Sequence, residues 1–228
     1  MSTRNKFEAQ LKLVFDKLLI MCRQVEAAIE KSVEALRSGD EAAAREVVSS
    51  DRVIDDVERE IESECLKILL MEHPVATDFR DVSAALKMIT DLERIGDQAA
   101  DISEISMHFD KEPYVKEPEH IAVMAKIVCA MVKDGVSSYV NRDLPLARSL
   151  DRRDDKVDEL FLTVKADLIQ LIKSDPACAE QALLYLMVAK YLERIGDHAV
   201  NIGEWAEYAS TGKKTIDFQN AIKLKIEN

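Results

Sequence analysis

The sequence predicts an all-α protein built as two tandem, pseudo-symmetric three-helix bundles, and three observations carry that prediction. Glycine and proline are sparse, six and five in 228 residues, while Ala, Leu, Glu, Lys, Asp and Ile are abundant, a composition of long helices rather than many short strands. Apolar residues recur at alternating steps of three and four, the seam of an amphipathic helix. Finally, Leu92-Glu93-Arg94-Ile95-Gly96-Asp97 returns unchanged as Leu192-Glu193-Arg194-Ile195-Gly196-Asp197, and the likeness continues through Ala99 and Ala199, Ile102 and Ile202, Glu104 and Glu204. Such a repeat marks an internal duplication.

The first helix is predicted from Phe7, Leu11, Val14, Leu18, Met21, Val25, Ile29, Val33 and Leu36, one continuous seam. Ser38-Gly39-Asp40 breaks it, with glycine suited to end one helix and Asp40 to cap the next. The second helix turns Val47, Ile54, Val57, Ile61, Cys65 and Ile68 inward until His73-Pro74 stops it. Thr77 or Asp78 is expected to cap the third helix, with Asp78 and Asp81 favouring its positive end. That helix carries the first hexapeptide and is expected to run to about Phe109.

Residues 110–119, with Pro113 and Pro118, read as the linker between halves. Beyond it, adding 103 maps Leu18 onto Ile121, Val25 onto Val128, Ile29 onto Val132, Val33 onto Val136, Leu36 onto Tyr139 and Asp40 onto Asp143. The same shift carries the second-helix seam onto Leu150, Val157, Leu160, Val164, Leu168 and Leu171. By the hexapeptide the shift is 100, which places a three-residue indel near Pro74 and Pro176. The expected organisation is a first bundle over residues 1–110, a second over 119–210 and a C-terminal tail over 211–228.

The duplication exposes paired acids. Glu93 and Asp97, and Glu193 and Asp197, stand four apart, on one helix face. So do Asp51 and Asp55 on the second helix, and their counterparts Asp154 and Asp158. In an antiparallel helical hairpin, counting from the turn compares levels. Asp55 and Glu93 are each 19 residues from Pro74, and Asp51 and Asp97 each 23, so at about 1.5 Å per residue each pair shares a height. Asp158 and Glu193, and Asp154 and Asp197, are nearly level about Pro176. Four carboxylates should therefore converge in each half. Asp101 is placed to extend the first cluster where the second has Asn201, and His198 beside Asp197 is a candidate peripheral ligand, although such a residue is more often simply exposed or hydrogen-bonded.

Four close carboxylates repel, so protons or cations must neutralise them. Ligation by oxygen alone suits hard cations such as Mg, Mn or Ca, with iron also open. The competing reading is a solvated acidic face balanced by Arg94, Arg194 and nearby lysines. Gly96 and Gly196, each costing about 1 kcal/mol against alanine inside a helix, serve either close helix packing or access to a site.

The net charge of −12 argues against a nucleic-acid binder, which would need a basic surface, and favours cations or basic partner patches. The amphipathic start is not that of a signal peptide, and the longest apolar run, residues 182–189, is too short to span a bilayer. Cys22, Cys65, Cys129 and Cys178 form no CxxC pair and are expected to be reduced, mostly packed thiols.

The repeated LERIGD, the turn Pro74-Val75-Ala76-Thr77-Asp78-Phe79-Arg80 and the paired D/ExxxD acids resemble the PhoU family of bacterial phosphate-transport regulators, from the first helix to about Tyr208. The resemblance implies two three-helix bundles and multinuclear metal sites of Fe, Mn, Mg or Zn. The ligands would be Asp51, Asp55, Glu93 and Asp97 in one half and Asp154, Asp158, Glu193 and Asp197 in the other. It implies a cytoplasmic, non-catalytic adaptor between the ATPase subunit of a phosphate importer and a sensor histidine kinase, damping the phosphate-starvation response. Such a protein would form homodimers and meet the membrane only through its partners. The second half has Asp175-Pro176-Ala177-Cys178 in place of the first turn, so a partner contact made there would not be duplicated.

Two other classes remain open. A carboxylate-bridged metalloenzyme would reuse the same acids, but the di-iron bundle template needs Glu-x-x-His on its helices, and Glu117 and His120 have that spacing only around Pro118 in the linker. A plain helical scaffold with solvated acidic faces is the third.

Overall fold

The computed structural model describes residues 3–109 and 119–213, and every regular element among them is helical. In chain order these are α1 (Thr3–Ser38), α2 (Glu41–Glu72), α3 (Thr77–Ser106), α4 (Glu119–Asn141), the short α5 (Leu144–Arg148), α6 (Leu150–Ser174) and α7 (Ala179–Thr211), with a single 3-10 turn at Pro176–Cys178. The expected linker before Glu119 and the tail beyond Lys213 lie outside the described residues.

The local signals account for most helix ends. All nine predicted seam positions of α1 are buried. Gly39 then takes the left-handed conformation, φ +66°, and the Asp40 carboxylate accepts from the Ala42 and Ala43 N–H groups at 3.0 Å, satisfying two donors that the first turn leaves unpaired. α2 ends at Glu72, with His73 left-handed at φ +46° just before Pro74.

Four details depart from expectation. Ala76, at φ +50°, precedes α3 with no side-chain cap, because Asp78 is drawn instead to Arg4 Nη1 at 2.6 Å. Asp81 is not at an exposed helix end but buried, accepting from Arg142 Nη2 at 2.7 Å. α3 stops at Ser106, short of Phe109, whose ring packs on Tyr185 with centroids 4.6 Å apart. The second-half counterpart of α2 is split at Ser149, after a start capped by Asp143. The split falls beside a glycine: a Cβ on Gly203 would lie 2.8 Å from Leu150 Cδ1 and 3.1 Å from the Ala147 carbonyl oxygen, a close approach of α5 to α7 that Ser103, the first-half equivalent, does not invite.

The two halves do not sit as separate beads. α1, α3, α7 and α4 form a central ring of four helices, α2 flanks α1 and α3, and α6 flanks α4 and α7. Their buried side chains make one continuous core. α3 and α7 run antiparallel: Arg80 Nε reaches the Ala209 carbonyl at 3.5 Å, Asp91 meets His198 and Asn201, and Asp101 meets Tyr191. α1 and α4 pair similarly, with Cys22 Sγ on the Val132 carbonyl and Cys129 Sγ on that of Glu26. All four cysteines are free, and burial pushes the Cys65 and Cys129 thiols up to about 12. Among the described residues no helix is long and apolar enough to cross a membrane.

Candidate functional site

Each half brings its predicted acids together on a helical hairpin, α2 with α3 and α6 with α7. In the first, burial and then the charges of Asp97, Asp55 and Asp101 push Asp51 up to about 6. Glu93 is raised by burial and by Asp97, against the opposing pull of Arg94, with Glu58 and Asp55 adding to it. In the second, burial followed by Asp197, Asp158 and Glu193 pushes Asp154 up to about 7. Asp197 lies at the exposed edge of its cluster, yet its carboxyl is also raised, by partial burial and by Glu193, while Lys190 opposes. The eight acids thus form two mutually repelling groups, as counting from the turns requires.

Basic side chains offset part of this repulsion. Arg94 reaches Asp97 at 3.0 Å and Glu93 at 3.5 Å, and Arg59 reaches Asp55 at 3.6 Å. Arg194 does not mirror Arg94 but acts across the halves, lowering Asp101 and Tyr191. Lys190 pairs with Glu193.

Both hexapeptide glycines make room for a carboxylate on the facing helix. A Cβ on Gly196 would stand 2.6 Å from Asp154 Oδ1, and one on Gly96 would stand 3.2 Å from Asp51 Oδ1 and 3.0 Å from Ile54 Cδ1. Close packing of the facing helix is the role these contacts show. Asp154 Oδ1 is buried in that recess without a hydrogen-bond partner, which leaves a strong acceptor unsatisfied. An orphaned acceptor, a glycine recess and a donor set of carboxylate oxygens have the chemistry that suits a hard cation, without the closed geometry of a formed site. The side chains stand apart as placed, and among the described residues no three of His, Cys, Asp or Glu are gathered closely enough to close around a metal ion.

Of the two roles open to His198, ligand or hydrogen-bonded side chain, the second is observed: its Nδ1 lies 2.9 Å from Asp91 Oδ1. Asp101 does join the first cluster electrostatically, while accepting a hydrogen bond from the Tyr191 hydroxyl. Glu58 was missed. It stands three residues beyond Asp55, on the same helix face, and its own carboxyl is raised by burial, Glu62 and Asp55. The duplication hid it, because its counterpart is Phe161.

Two helical hairpins, each carrying a carboxylate cluster and related by an internal two-fold across a shared core, define a duplicated helical-bundle protein with acidic sites. A family model described as the PhoU domain matches residues 18–106 and 121–206. The chain is 36% identical over 213 residues to a "Phosphate-specific transport system accessory protein PhoU homolog" of Clostridium acetobutylicum, covering 93% of this chain and 97% of that one. It is 33% identical over 211 residues to the Deinococcus radiodurans protein of the same description, covering 92% and 99%. Among solved structures, PhoU from Pseudomonas aeruginosa superposes with TM-score 0.83 at 32% identity, covering 91% of this chain and all of that one. The phosphate transport system regulatory protein PhoU from Streptococcus pneumoniae superposes with TM-score 0.84 at 25% identity, covering 92% and 99%. The chain belongs to the PhoU family.

Proposed function

We propose that this chain is an accessory protein of a phosphate-specific transport system and a negative regulator of the phosphate-starvation response. It acts in the cytoplasm as a metal-binding, non-catalytic adaptor between the importer's ATPase subunit and a sensor histidine kinase, and works as a homodimer. The observation that carries the reading is full-length similarity, in both directions, to proteins described as accessory to that transport system. The negative charge suits basic partner patches. At the α2–α3 turn Val75 is 74% and Phe79 48% exposed, an apolar surface available to a partner.

The metal would be held by Asp51, Asp55, Glu93 and Asp97 in the first half and by Asp154, Asp158, Glu193 and Asp197 in the second. A hard cation bound there supplies the positive charge that these carboxylates lack, tying α2 to α3 and α6 to α7.

The test is a starvation-gene reporter in a strain lacking the gene, grown in phosphate-rich medium. Expression should be constitutive and should be repressed again by the wild-type gene. A Val75→Asp, Phe79→Ala variant should fold but fail to repress. Arg80 is unsuitable for this purpose, because it ties α3 to α7 through Ala209 and hydrogen-bonds Thr77. Normal repression in the deletion strain, with no second copy of the gene, would turn attention to the carboxylate-bridged metalloenzyme.

A further inference from the structure

The two acidic clusters differ at one edge. Where the first half has Glu58 on α2 and Thr90 on α3, the corresponding positions of the second half are Phe161 and Lys190. Lys190 Nζ lies over the Phe161 ring, 5.6 Å from its centroid, and ion-pairs with Glu193, whose side chain is only 13% exposed. The same ammonium acts on Asp197. A cation over an aromatic face and against a largely buried carboxylate is held by two attractions at once. In the first half Arg94 pairs with Asp97 at 3.0 Å, while Glu93 and Asp55, the counterparts of Glu193 and Asp158, are approached by Arg94 and Arg59 only at 3.5 and 3.6 Å. The contacts to Glu93 and Asp55 are loose and easily given up to solvent.

We propose that Lys190 is a built-in counter-ion of the second site, competing with an incoming divalent cation for Glu193 and so setting that site's affinity. The proposal rests on the metal-binding reading above. A divalent ion that takes Glu193 must displace the ammonium from both the carboxylate and the ring, or bind beside a like charge. Position 190 is then a determinant of affinity that the first half, with Thr90, lacks.

The experiment is calorimetric titration of chelator-treated full-length protein with manganese(II), in an Asp55→Asn, Glu93→Gln background that silences the first half. Lys190→Thr should tighten the remaining site by on the order of tenfold, which corresponds to about 1.4 kcal/mol. Lys190→Arg, which keeps the charge, should stay near the background value. So should Lys126→Thr, which removes an exposed positive charge from α4. Unchanged or weaker binding in Lys190→Thr, or equal tightening in Lys126→Thr, overturns the proposal while leaving metal binding intact. Absence of manganese binding from every variant and from the wild type overturns both.

Discussion

Asp91 Oδ1 lies 2.9 Å from His198 Nδ1, across the contact between α3 and α7, and accepts a second contact from Asn201 Nδ2 at 3.2 Å. The internal symmetry carries Asp91 onto Tyr191 and Asn201 onto Asp101, and this second pair is also hydrogen-bonded, Tyr191 donating to Asp101. The two registers of the interface are thus used twice with donor and acceptor exchanged. Asp101 also acts on Asp51 and is itself raised by Asp97, both in the first acidic cluster. That cluster is therefore anchored to a helix of the other half.

Replacing Asp55 by Asn and Glu93 by Gln together should remove the metal of the first half and leave the second loaded, because each cluster is assembled on its own hairpin. Elemental analysis of protein purified without chelators should show metal content falling but not to zero. In metal-free protein the same double change should be neutral or stabilising, since it relieves repulsion among the remaining acids. Unchanged metal content would mean that the ligands are misassigned.

Metal-free protein should lose stability as pH rises from about 4 to about 7. Asp51 and Asp154 titrate at about 6 and about 7 in the folded chain, against about 3.9 when unfolded. The folded state therefore binds these protons more tightly. The resulting stabilisation is complete below the unfolded value and is lost as pH passes through 6 and 7. Thermal melts of chelator-treated protein should show this slope, and Asp51→Asn with Asp154→Asn should reduce it, the raised Asp197 carboxyl keeping a share. Metal affinity should run the other way, rising with pH as the ligands shed protons.

Two glycines of α7 should respond differently to alanine. At Gly196 the new Cβ meets the end of the Asp154 side chain, which can rotate away. Gly196→Ala should leave folding within about 1 kcal/mol, helped by the better helix propensity of alanine, while weakening metal binding in the second half. At Gly203 the Cβ meets buried Leu150 and a backbone carbonyl. Gly203→Ala should cost about 1–3 kcal/mol through overpacking. Denaturant unfolding and metal titration of the two variants separate the outcomes.

Arg142→Ala should destabilise by about 1.5–3 kcal/mol, the range for a hydrogen bond to a charged group. It would leave the Asp81 carboxylate, 2% exposed, without its partner at 2.7 Å. The other oxygen of that carboxylate already lacks a partner, and burial raises the group despite Arg142. Adding Asp81→Asn should recover part of the loss, so the two changes should be non-additive in a double-mutant cycle. Purely additive losses would show that the pair contributes no coupling.

What the sequence by itself determined was whatever depends on neighbours along the chain. The apolar period from Phe7 to Leu36 decides which face of α1 is buried, Gly39 and Pro74 decide where helices stop, and a hairpin makes the levels of Asp55 and Glu93 a matter of counting. The two acidic clusters were legible for that reason. Their surroundings were not, because they depend on which of several apolar faces packs against which. Nothing local links Asp91 to His198, 107 residues away, nor buries Asp81 beneath Arg142, nor shows that Gly196 clears space for a carboxylate on another helix. The break at Ser149 has the same origin: it falls where Leu150 and the Ala147 carbonyl close on Gly203 of α7. A helix forms from its own periodicity, but the pairing of α3 with α7 is decided only when the whole core closes.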